Sequence, residues 1–220
     1  MSQLPNGRGN NGGLERGAGF ESGNQSAPRT PSSPGSKSLS PETLWDESGF
    51  PRKHKSFNVE NDALNERWKS WQRQVTSHLL TTGSTWIFAG LSGTGKTQMA
   101  TECGRAVCKA GSSAYYLPFS WMGLEIESTS QPAATQTVAT YGRKLLSPRF
   151  LVIDDLSLAE TSATHMKFLT NLIAMRHDNC LDTVILSTDD MEVLHEKLPP
   201  VVLHRCQVND GFVKFAWSHF

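Results

Sequence analysis

The sequence predicts an α/β fold in which a parallel β-sheet is flanked by helices. Three short apolar runs, TWIFA at residues 85–89, FLVI at 150–153 and TVIL at 183–186, have the composition of strands buried on both faces of such a sheet. Segments with helical spacing of apolar residues separate these runs. Strands that alternate with helices favour right-handed parallel connections, and such sheets bind ligands at the carboxyl ends of their strands.

The N-terminal part of the chain differs in composition from the rest. Residues 1–40 are rich in glycine, serine and proline and contain no valine or isoleucine. Because so little apolar surface cannot offset the entropy of ordering the chain, a disordered tail is expected there. Residues 41–60 are predicted to be a linker or docking segment, in which PETLWDESGF at 41–50 forms one helical turn. That turn is either a docking peptide for a partner or a strap on its own domain, which is expected to span residues 61–220.

In the first half of this domain, helices and strands are predicted from the spacing of apolar residues and from the residues that end each element. Residues 62–80 are predicted to be helical because apolar side chains recur there at spacings of three and four. After the strand at 85–89, residues 98–110 are predicted to form a helix that Gly111 ends. Residues 114–117 are expected to form the second strand.

In the second half, residues 120–130 give no clear pattern. The remaining predicted elements are a helix at 132–146 interrupted by Gly142, a strand at 150–153, a helix at 162–177, a strand at 183–186, a helix at 191–198 and a strand at 212–217. Two prolines stop the short helix at 191–198. The polar motifs described next all follow predicted strands.

The octapeptide GLSGTGKT at residues 90–97 lies between the first strand and a helix. It fits the P-loop pattern GxxxxGK[ST], whose glycines let backbone N–H groups surround phosphates at a helix N-terminus. Lys96 is expected to reach the β- and γ-phosphates, and Thr97 to be a magnesium ligand. The predicted nucleotide-binding residues are Gly90, Leu91, Ser92, Gly93, Thr94, Gly95, Lys96, Thr97 and Gln98. The sequence therefore predicts binding of ATP or a similar triphosphate together with Mg²⁺.

Two carboxylates follow the apolar run at 150–153 in the position of a Walker B element. Asp154 is predicted to hold Mg²⁺, usually through water, and Asp155 to act as the general base on the attacking water. Without the P-loop, two aspartates after a strand would more simply be a solvated strand end.

Two further candidates for catalysis lie later in the chain. In the polar run at residues 187–190, Thr188 or Asp190 is predicted to sense the γ-phosphate, although Asp189 and Asp190 are almost as well suited to capping the next helix. Arg205 is placed to stabilise the transition-state charge on a nucleotide bound by a neighbouring subunit. A surface ion pair is the alternative role for this arginine.

Charge, apolar runs and cysteine spacing bear on which kinds of protein this chain can be. The chain has 21 Lys and Arg against 21 Asp and Glu, so no overall basic field favours nucleic acid. There is no apolar run of membrane-spanning length and no signal-peptide pattern, so the protein is expected to be cytoplasmic, without membrane contact. The four cysteines lack zinc-ligand spacing and are expected to be buried, reduced thiols.

The order of P-loop, apolar strand with two acids, polar strand end and late arginine resembles the AAA+ ATPases. Within them, the chain is similar to the DnaC and IstB group of helicase loaders and transposition helpers over residues 49–220. The closing segment VLHRCQVNDGFVKFAWSHF looks like the end of the DnaC loaders. By this resemblance, Lys96 and Thr97 match the Walker A pair, Asp154 the Walker B aspartate and Arg205 the arginine finger.

The resemblance implies an ATP-controlled protein that helps to load a replicative helicase onto single-stranded DNA. Family members usually carry glutamate where this chain has Asp155, so slow, partner-stimulated hydrolysis is expected. No segment remains for a helical lid, so nucleotide binding is expected to act through self-association. The weak candidates for contact with single-stranded DNA are Arg143, Lys144, Tyr141 and Trp121.

Three alternatives share the same nucleotide site. The closest is an IstB-like ATPase that helps a transposase. A nucleotide-binding scaffold without hydrolysis is suggested by Asp155 in place of glutamate. A P-loop kinase is less well supported, because no arginine-bearing lid is evident in the sequence.

Overall fold

The computed structural model describes residues 39–57, 66–129, 137–208 and 211–217, so residues 1–38 of the predicted tail lie outside the described part. Within that part, one parallel sheet has the strand order β2-β3-β4-β1-β5. The strands are β1 (Thr85–Gly90), β2 (Ala114–Pro118), β3 (Phe150–Leu156), β4 (Asp182–Ser187) and β5 (Phe212–Phe215). The helices are α1 (Pro41–Glu47), α2 (Arg52–Lys55), α3 (Glu66–His78), α4 (Lys96–Lys109), α5 (Phe119–Thr129), α6 (Val138–Leu145), α7 (Ala163–Asp178), α8 (Met191–Lys197) and α9 (Pro200–Gln207). None of these helices combines the length and apolar character needed to cross a bilayer.

The central strands are buried on both faces, as their apolar composition predicts. Along β1, Trp86 and Phe88 join the core formed with α3 and α4. Their neighbours Ile87 and Ala89 join the core formed with α5 to α9 on the other face. Because successive side chains of a strand point to opposite faces, a continuous apolar run fills both cores. The predicted α/β architecture with helices on both faces of a parallel sheet is confirmed.

Several predicted elements are corrected by the structure. The unclear segment after β2 forms helix α5, and α6 continues through Gly142 without interruption. The two prolines that end α8 also begin a helix that the sequence analysis missed, α9, because Pro200 occupies its first position. Arg205 therefore lies within a helix rather than in a loop.

The cysteines are only partly as predicted. Cys103, Cys108 and Cys206 are buried, whereas Cys180 is exposed. Cys180 lies in the turn after α7 and has φ +55°. A tight turn between a helix and a strand lies at the surface, so this thiol faces solvent.

The segment from α1 to α2 is a strap that packs on its own domain. The ring of Phe50 covers Gly104 of α4 so closely that a Cβ there would lie 2.5 Å from the ring. The ring of Trp45 lies under Lys55 and Arg105, whose charged groups are 4.6 and 4.7 Å from its centroid. This packing brings the C-terminal residues of the strap to the carboxyl ends of the strands.

The amino ends of β3 and β4 are held together by the fully buried side chain of Arg176. Its guanidinium donates to the carbonyl oxygens of Leu145 at 2.7 Å, Pro148 at 3.0 Å and Asp182 at 2.7 Å, and to Thr183 Oγ1 at 2.9 Å. Burial lowers the pKa of Arg176 to about 9, so the group stays charged at neutral pH. This network fixes the end of the sheet opposite the candidate site.

Candidate nucleotide-binding site

A cavity of about 630 Å³ opens at the carboxyl ends of the strands. Its lining combines P-loop residues, the ends of β2, β3 and β4, and the end of the strap. The lining residues are Ser92, Gly93, Gly95, Lys96, Thr97, Gln98, Tyr116, Pro118, Asp154, Asp155, Leu186, Ser187, Thr188, Lys53, His54 and Phe57. The structure thus places the P-loop, both predicted acids and Thr188 around one space.

Gly90 and Gly95 are two of the P-loop positions at which the backbone requires glycine. Gly90 has φ +146°, and a Cβ there would lie 2.4 Å from the carbonyl oxygen of Phe215 in β5. Gly95 has φ +86° in the left-handed region and is the N-cap of α4. Together these glycines let the chain leave β1, close the loop and present the N-terminus of α4 to the cavity.

Two indole groups hold the loop from outside. Trp68 Nε1 of α3 donates to the carbonyl oxygen of Gly95 at 3.2 Å. Trp217 Nε1, which follows β5, donates to that of Thr94 at 2.9 Å. Sequence reasoning gave these tryptophans no role in the site, because their contacts with the loop are made through the tertiary fold.

The other predicted loop residues do not line this cavity. Gly90, Leu91 and Thr94 line a second cavity of about 350 Å³ beside Trp217. The Leu91 side chain is 74% exposed, and Thr94 Oγ1 donates to the Leu91 carbonyl oxygen at 2.8 Å. These three residues therefore shape the loop, and the side chains of Leu91 and Thr94 lie away from the candidate site.

Lys96 is a buried cation at the centre of the site, with 8% of its surface exposed. Its Nζ donates to the carbonyl oxygens of Gly90 at 2.5 Å and Leu91 at 2.8 Å. Burial lowers the pKa of Lys96, while Asp154 and Asp155 oppose that shift. A desolvated ammonium group of this kind is suited to binding phosphate oxygens.

Asp154 and Thr97 form the predicted metal pair. Thr97 Oγ1 donates to Asp154 Oδ2 at 3.0 Å, and the hydroxyl of Tyr116 donates to the same oxygen at 2.6 Å. Burial and this hydrogen bond raise the pKa of Tyr116, so its hydroxyl keeps its proton. Sequence reasoning missed Tyr116, although its place near the carboxyl end of β2 is where ligand-binding residues of such sheets lie.

The oxygen atoms that the site offers to a metal are suited to magnesium. The described residues contain no group of three or more His, Cys, Asp or Glu able to hold a metal, and the site offers one hydroxyl and one buried carboxylate. Mg²⁺ is characteristically bound through one or two protein oxygens, with waters and substrate phosphates completing its octahedron. Thr97 and Asp154 are the residues that would hold it.

Asp155 leaves the regular strand at a bulge. Ile153 pairs with Ile185 and Leu156 with Ser187, so β3 has one residue more than β4 over this stretch. Asp155 has φ +63°, and its side chain is exposed at the rim of the cavity. The two acids are therefore part of β3 rather than the residues that follow it.

Of the polar run at residues 187–190, which begins at the last residue of β4, Ser187 and Thr188 line the cavity. Thr188 is exposed there, as a sensor requires. Ser187 Oγ donates to the carbonyl oxygen of Leu156 at 2.7 Å, and Asp189 accepts from the Leu158 N–H at 2.9 Å. Asp190 is the N-cap of α8 by backbone conformation, but its side chain makes no capping bond.

Arg205 lies on α9 and does not line the nucleotide cavity of its own chain. Its Nη2 donates to Asp178 at 2.9 Å in a partly exposed ion pair. Among the candidates for DNA contact, Arg143 and Lys144 are exposed and Trp121 is 66% exposed. Tyr141 is buried in the core, so the proposal that it stacks on a base is wrong.

The strap supplies a wall of the cavity that the sequence did not predict. His54 Nδ1 lies 2.9 Å from Gln98 Oε1, and Gln98 Nε2 donates to the His54 carbonyl oxygen at 3.2 Å. Lys53 and Phe57 line the cavity beside them. Gln98 thus binds the strap rather than pointing freely to a nucleotide.

The sequence matches the model of the IstB-like ATP binding protein family over residues 62–199, which is more than half of the chain. No curated protein matches the sequence.

Solved structures share the fold at low sequence identity. The crystal structure of DnaI has a TM-score of 0.60 and 15% identity, with 77% of this chain and 93% of that chain covered. The DnaC helicase loader has a TM-score of 0.58 and 16% identity, with 79% and 98% covered. AMPPCP-bound DnaA from Aquifex aeolicus has a TM-score of 0.59 and 15% identity, with 76% and 51% covered. The chain thus spans about half the length of DnaA and nearly the whole of the DnaI and DnaC structures, and these similarities show the fold.

Proposed function

Since the chain belongs to the family of IstB-like ATP-binding proteins, we propose that it is a AAA+ ATPase that assists the loading of a replicative helicase onto single-stranded DNA. The observation that carries the ATPase proposal is the placement of the P-loop, Asp154, Asp155 and Thr188 around one cavity. A triphosphate held by the loop would have its γ-phosphate beside these three side chains.

Binding begins with the loop and Lys96. The N-terminal N–H groups of α4 and the ammonium of Lys96 attract the phosphates. On binding, Lys96 exchanges its bonds to the carbonyl oxygens of Gly90 and Leu91 for bonds to phosphate oxygens. His54 and Phe57 line one side of the cavity, where the nucleoside would lie.

Hydrolysis uses the acids of β3. Thr97 and Asp154 would hold Mg²⁺, which would supply charge neutralisation on the phosphates. Asp155 accepts a proton from the attacking water, and Thr188 contacts the γ-phosphate or that water. Because Asp155 lies at a bulge of β3 and its side chain is exposed at the rim of the cavity, hydrolysis is slow.

Arg205 acts between copies of the chain. It cannot serve the nucleotide of its own chain, because it lies on α9 and does not line that cavity. Its ion pair with Asp178 is partly exposed, so the guanidinium is accessible from outside the chain. ATP therefore promotes self-association, with each arginine completing the site of a neighbour.

Two observations bear on the macromolecular partner. The structural similarity to the DnaC helicase loader, which covers 79% of this chain, and the closing segment with Phe215 and Trp217 favour a helicase. The match to the IstB-like family model favours the second candidate, an ATPase that helps a transposase. Single-stranded DNA is a further partner, with Arg143, Lys144 and Trp121 as its exposed candidates.

Nucleotide binding is tested by Lys96→Ala, with Lys109→Ala at the exposed end of the same helix as the matched control. Loss of the charged hydrogen bonds to phosphate should weaken AMPPCP binding about 100-fold, and the control should bind as wild type does. Wild-type affinity in the Lys96→Ala protein would refute the site.

The catalytic acid is tested by Asp155→Asn in a phosphate-release assay. The variant should bind AMPPCP normally and lose hydrolysis, whether or not single-stranded DNA and helicase are present. If wild type shows no turnover with both partners present, the protein is a nucleotide-binding scaffold instead.

The partner is tested by binding purified replicative helicase and purified transposase with and without ATP. An ATP-dependent complex with the helicase supports the leading proposal, and one with the transposase supports the second candidate.

For Arg205, a mixture of Arg205→Ala and Lys96→Ala chains should regain turnover that neither variant has alone. No recovery in the mixture would leave Arg205 with the structural ion pair only.

A further inference from the structure

The carboxylate of Asp154 is held at both of its oxygens. Its Oδ1 accepts from the backbone N–H of Asp155 at 2.7 Å. Its Oδ2 accepts from the hydroxyls of Tyr116 at 2.6 Å and Thr97 at 3.0 Å. With only 9% of the residue exposed, these bonds fix the plane of the carboxylate.

We propose that Tyr116 is a positioning residue that orients Asp154 for magnesium, a role that rests on the ATPase function proposed above. The Thr97 hydroxyl cannot orient Asp154 independently, because its oxygen is itself a metal ligand in the proposed site. Within the described part of the chain, Tyr116 is then the one side chain that holds Oδ2 without taking part in metal binding. Outer partners of this kind tune metal affinity by fixing the ligand's orientation.

The tyrosine is itself firmly placed. Its backbone N–H donates to the Ser48 carbonyl oxygen at 2.8 Å, which ties the edge strand β2 to the strap. Its ring lies 5.4 Å from that of Phe50, measured between centroids. In β2 it stands opposite Val152, two residues before Asp154 on the neighbouring strand. The hydroxyl therefore reaches the carboxylate from a side chain that strap and strand both constrain.

The neighbouring residue Tyr115 provides a matched control. It lies next to Tyr116 in β2, packs against the core on the opposite face of the sheet and is likewise partly exposed. Tyr116→Phe and Tyr115→Phe each remove one hydroxyl and keep the ring. Only the first removes a bond to Asp154.

The experiment measures AMPPCP affinity as a function of MgCl₂ concentration for wild type and both variants. Tyr116→Phe should raise the half-saturating Mg²⁺ concentration about tenfold, with AMPPCP affinity in EDTA unchanged. Tyr115→Phe should match wild type. Thermal unfolding without nucleotide shows whether each variant remains folded.

A double-mutant cycle with Asp154→Asn tests whether Tyr116 acts through Asp154. In the Asp154→Asn background, Tyr116→Phe should cause no further shift in Mg²⁺ dependence, since the carboxylate it orients is gone. A further shift there, or an unchanged Mg²⁺ dependence of the single Tyr116→Phe variant, overturns the positioning role while leaving ATP binding intact. Failure of wild type to bind AMPPCP at any Mg²⁺ concentration overturns the proposed function as well.

Discussion

The tryptophan that follows β5 should contribute to nucleotide affinity without touching the nucleotide. Trp217 donates its indole N–H to the Thr94 carbonyl oxygen in the P-loop at 2.9 Å. Trp217→Phe keeps an aromatic ring beside Phe215, whose centroid is 4.8 Å from that of Trp217, but removes the donor. The loop then loses one of the two indole bonds that hold it from outside.

The size of the effect follows from the value of one hydrogen bond. A neutral bond of this kind contributes about 1 kcal/mol to the ordered state. Without this bond, nucleotide binding must itself supply the energy that orders the loop. The dissociation constant of the nucleotide should then rise about fivefold, because a change of about 1.4 kcal/mol in binding free energy corresponds to a tenfold change in the constant. Trp68→Phe, which removes the 3.2 Å bond to Gly95, should weaken binding to a similar extent.

Titration of each variant with a fluorescent ATP analogue in the presence of Mg²⁺ measures this change. Trp86→Phe is the control, since its buried indole N–H has no hydrogen-bond partner among the described residues. That variant should be less thermally stable than wild type, because a smaller ring replaces the indole in the core. Its affinity for the nucleotide should equal that of wild type. A wild-type dissociation constant for Trp217→Phe would refute the idea that the indole pre-orders the loop.

Three further predictions test other parts of the structure. Arg176→Met should lower the free energy of unfolding by roughly 3–5 kcal/mol in chemical denaturation, because buried carbonyl oxygens lose their donors, whereas Arg73→Met at an exposed position should change little. A thiol reagent should modify Cys180 alone in the folded protein and all four cysteines after unfolding, since three are buried, and burial raises the pKa of Cys103 and Cys206 to about 12. AMPPCP affinity should fall as the pH rises through the lowered pKa of Lys96, because only the charged amine binds phosphate; Lys96→Arg should lose this alkaline dependence.

The strands and the P-loop were predictable because their signals are local. A run such as FLVI is apolar at every position, and GLSGTGKT requires a strand before it and a helix after it. Helix α9 was missed because the two prolines were interpreted as a stop, whereas Pro200 occupies the first position of a new helix. Helix α5 was missed because its apolar residues do not form one clean stripe, and Trp121 and Leu124 remain exposed.

The parts of the site that the sequence did not predict are contacts between residues that only the tertiary fold brings together. His54 and Gln98 are 44 residues apart in sequence, and Trp217 and Thr94 are 123 apart. No spacing rule connects such pairs. Tyr116 was closer to being predictable, because a strand was predicted at residues 114–117 and parallel strands place their carboxyl ends at one edge. Its pairing with β3 is seen only in the structure.

The aspartate at position 155 is explained by the backbone that carries it. The extra residue of β3 forces position 155 into the left-handed region at φ +63°, where aspartate and asparagine are tolerated far better than longer side chains. Glutamate would gain reach toward the water but meet a backbone cost on the order of 1 kcal/mol at this φ. Asp155→Glu should therefore raise hydrolysis little, because the bulge opposes the conformation that a longer base would need. Asparagine keeps the backbone preference and removes only the charge. A large gain in turnover from Asp155→Glu would show that side-chain length, rather than the bulge, limits hydrolysis.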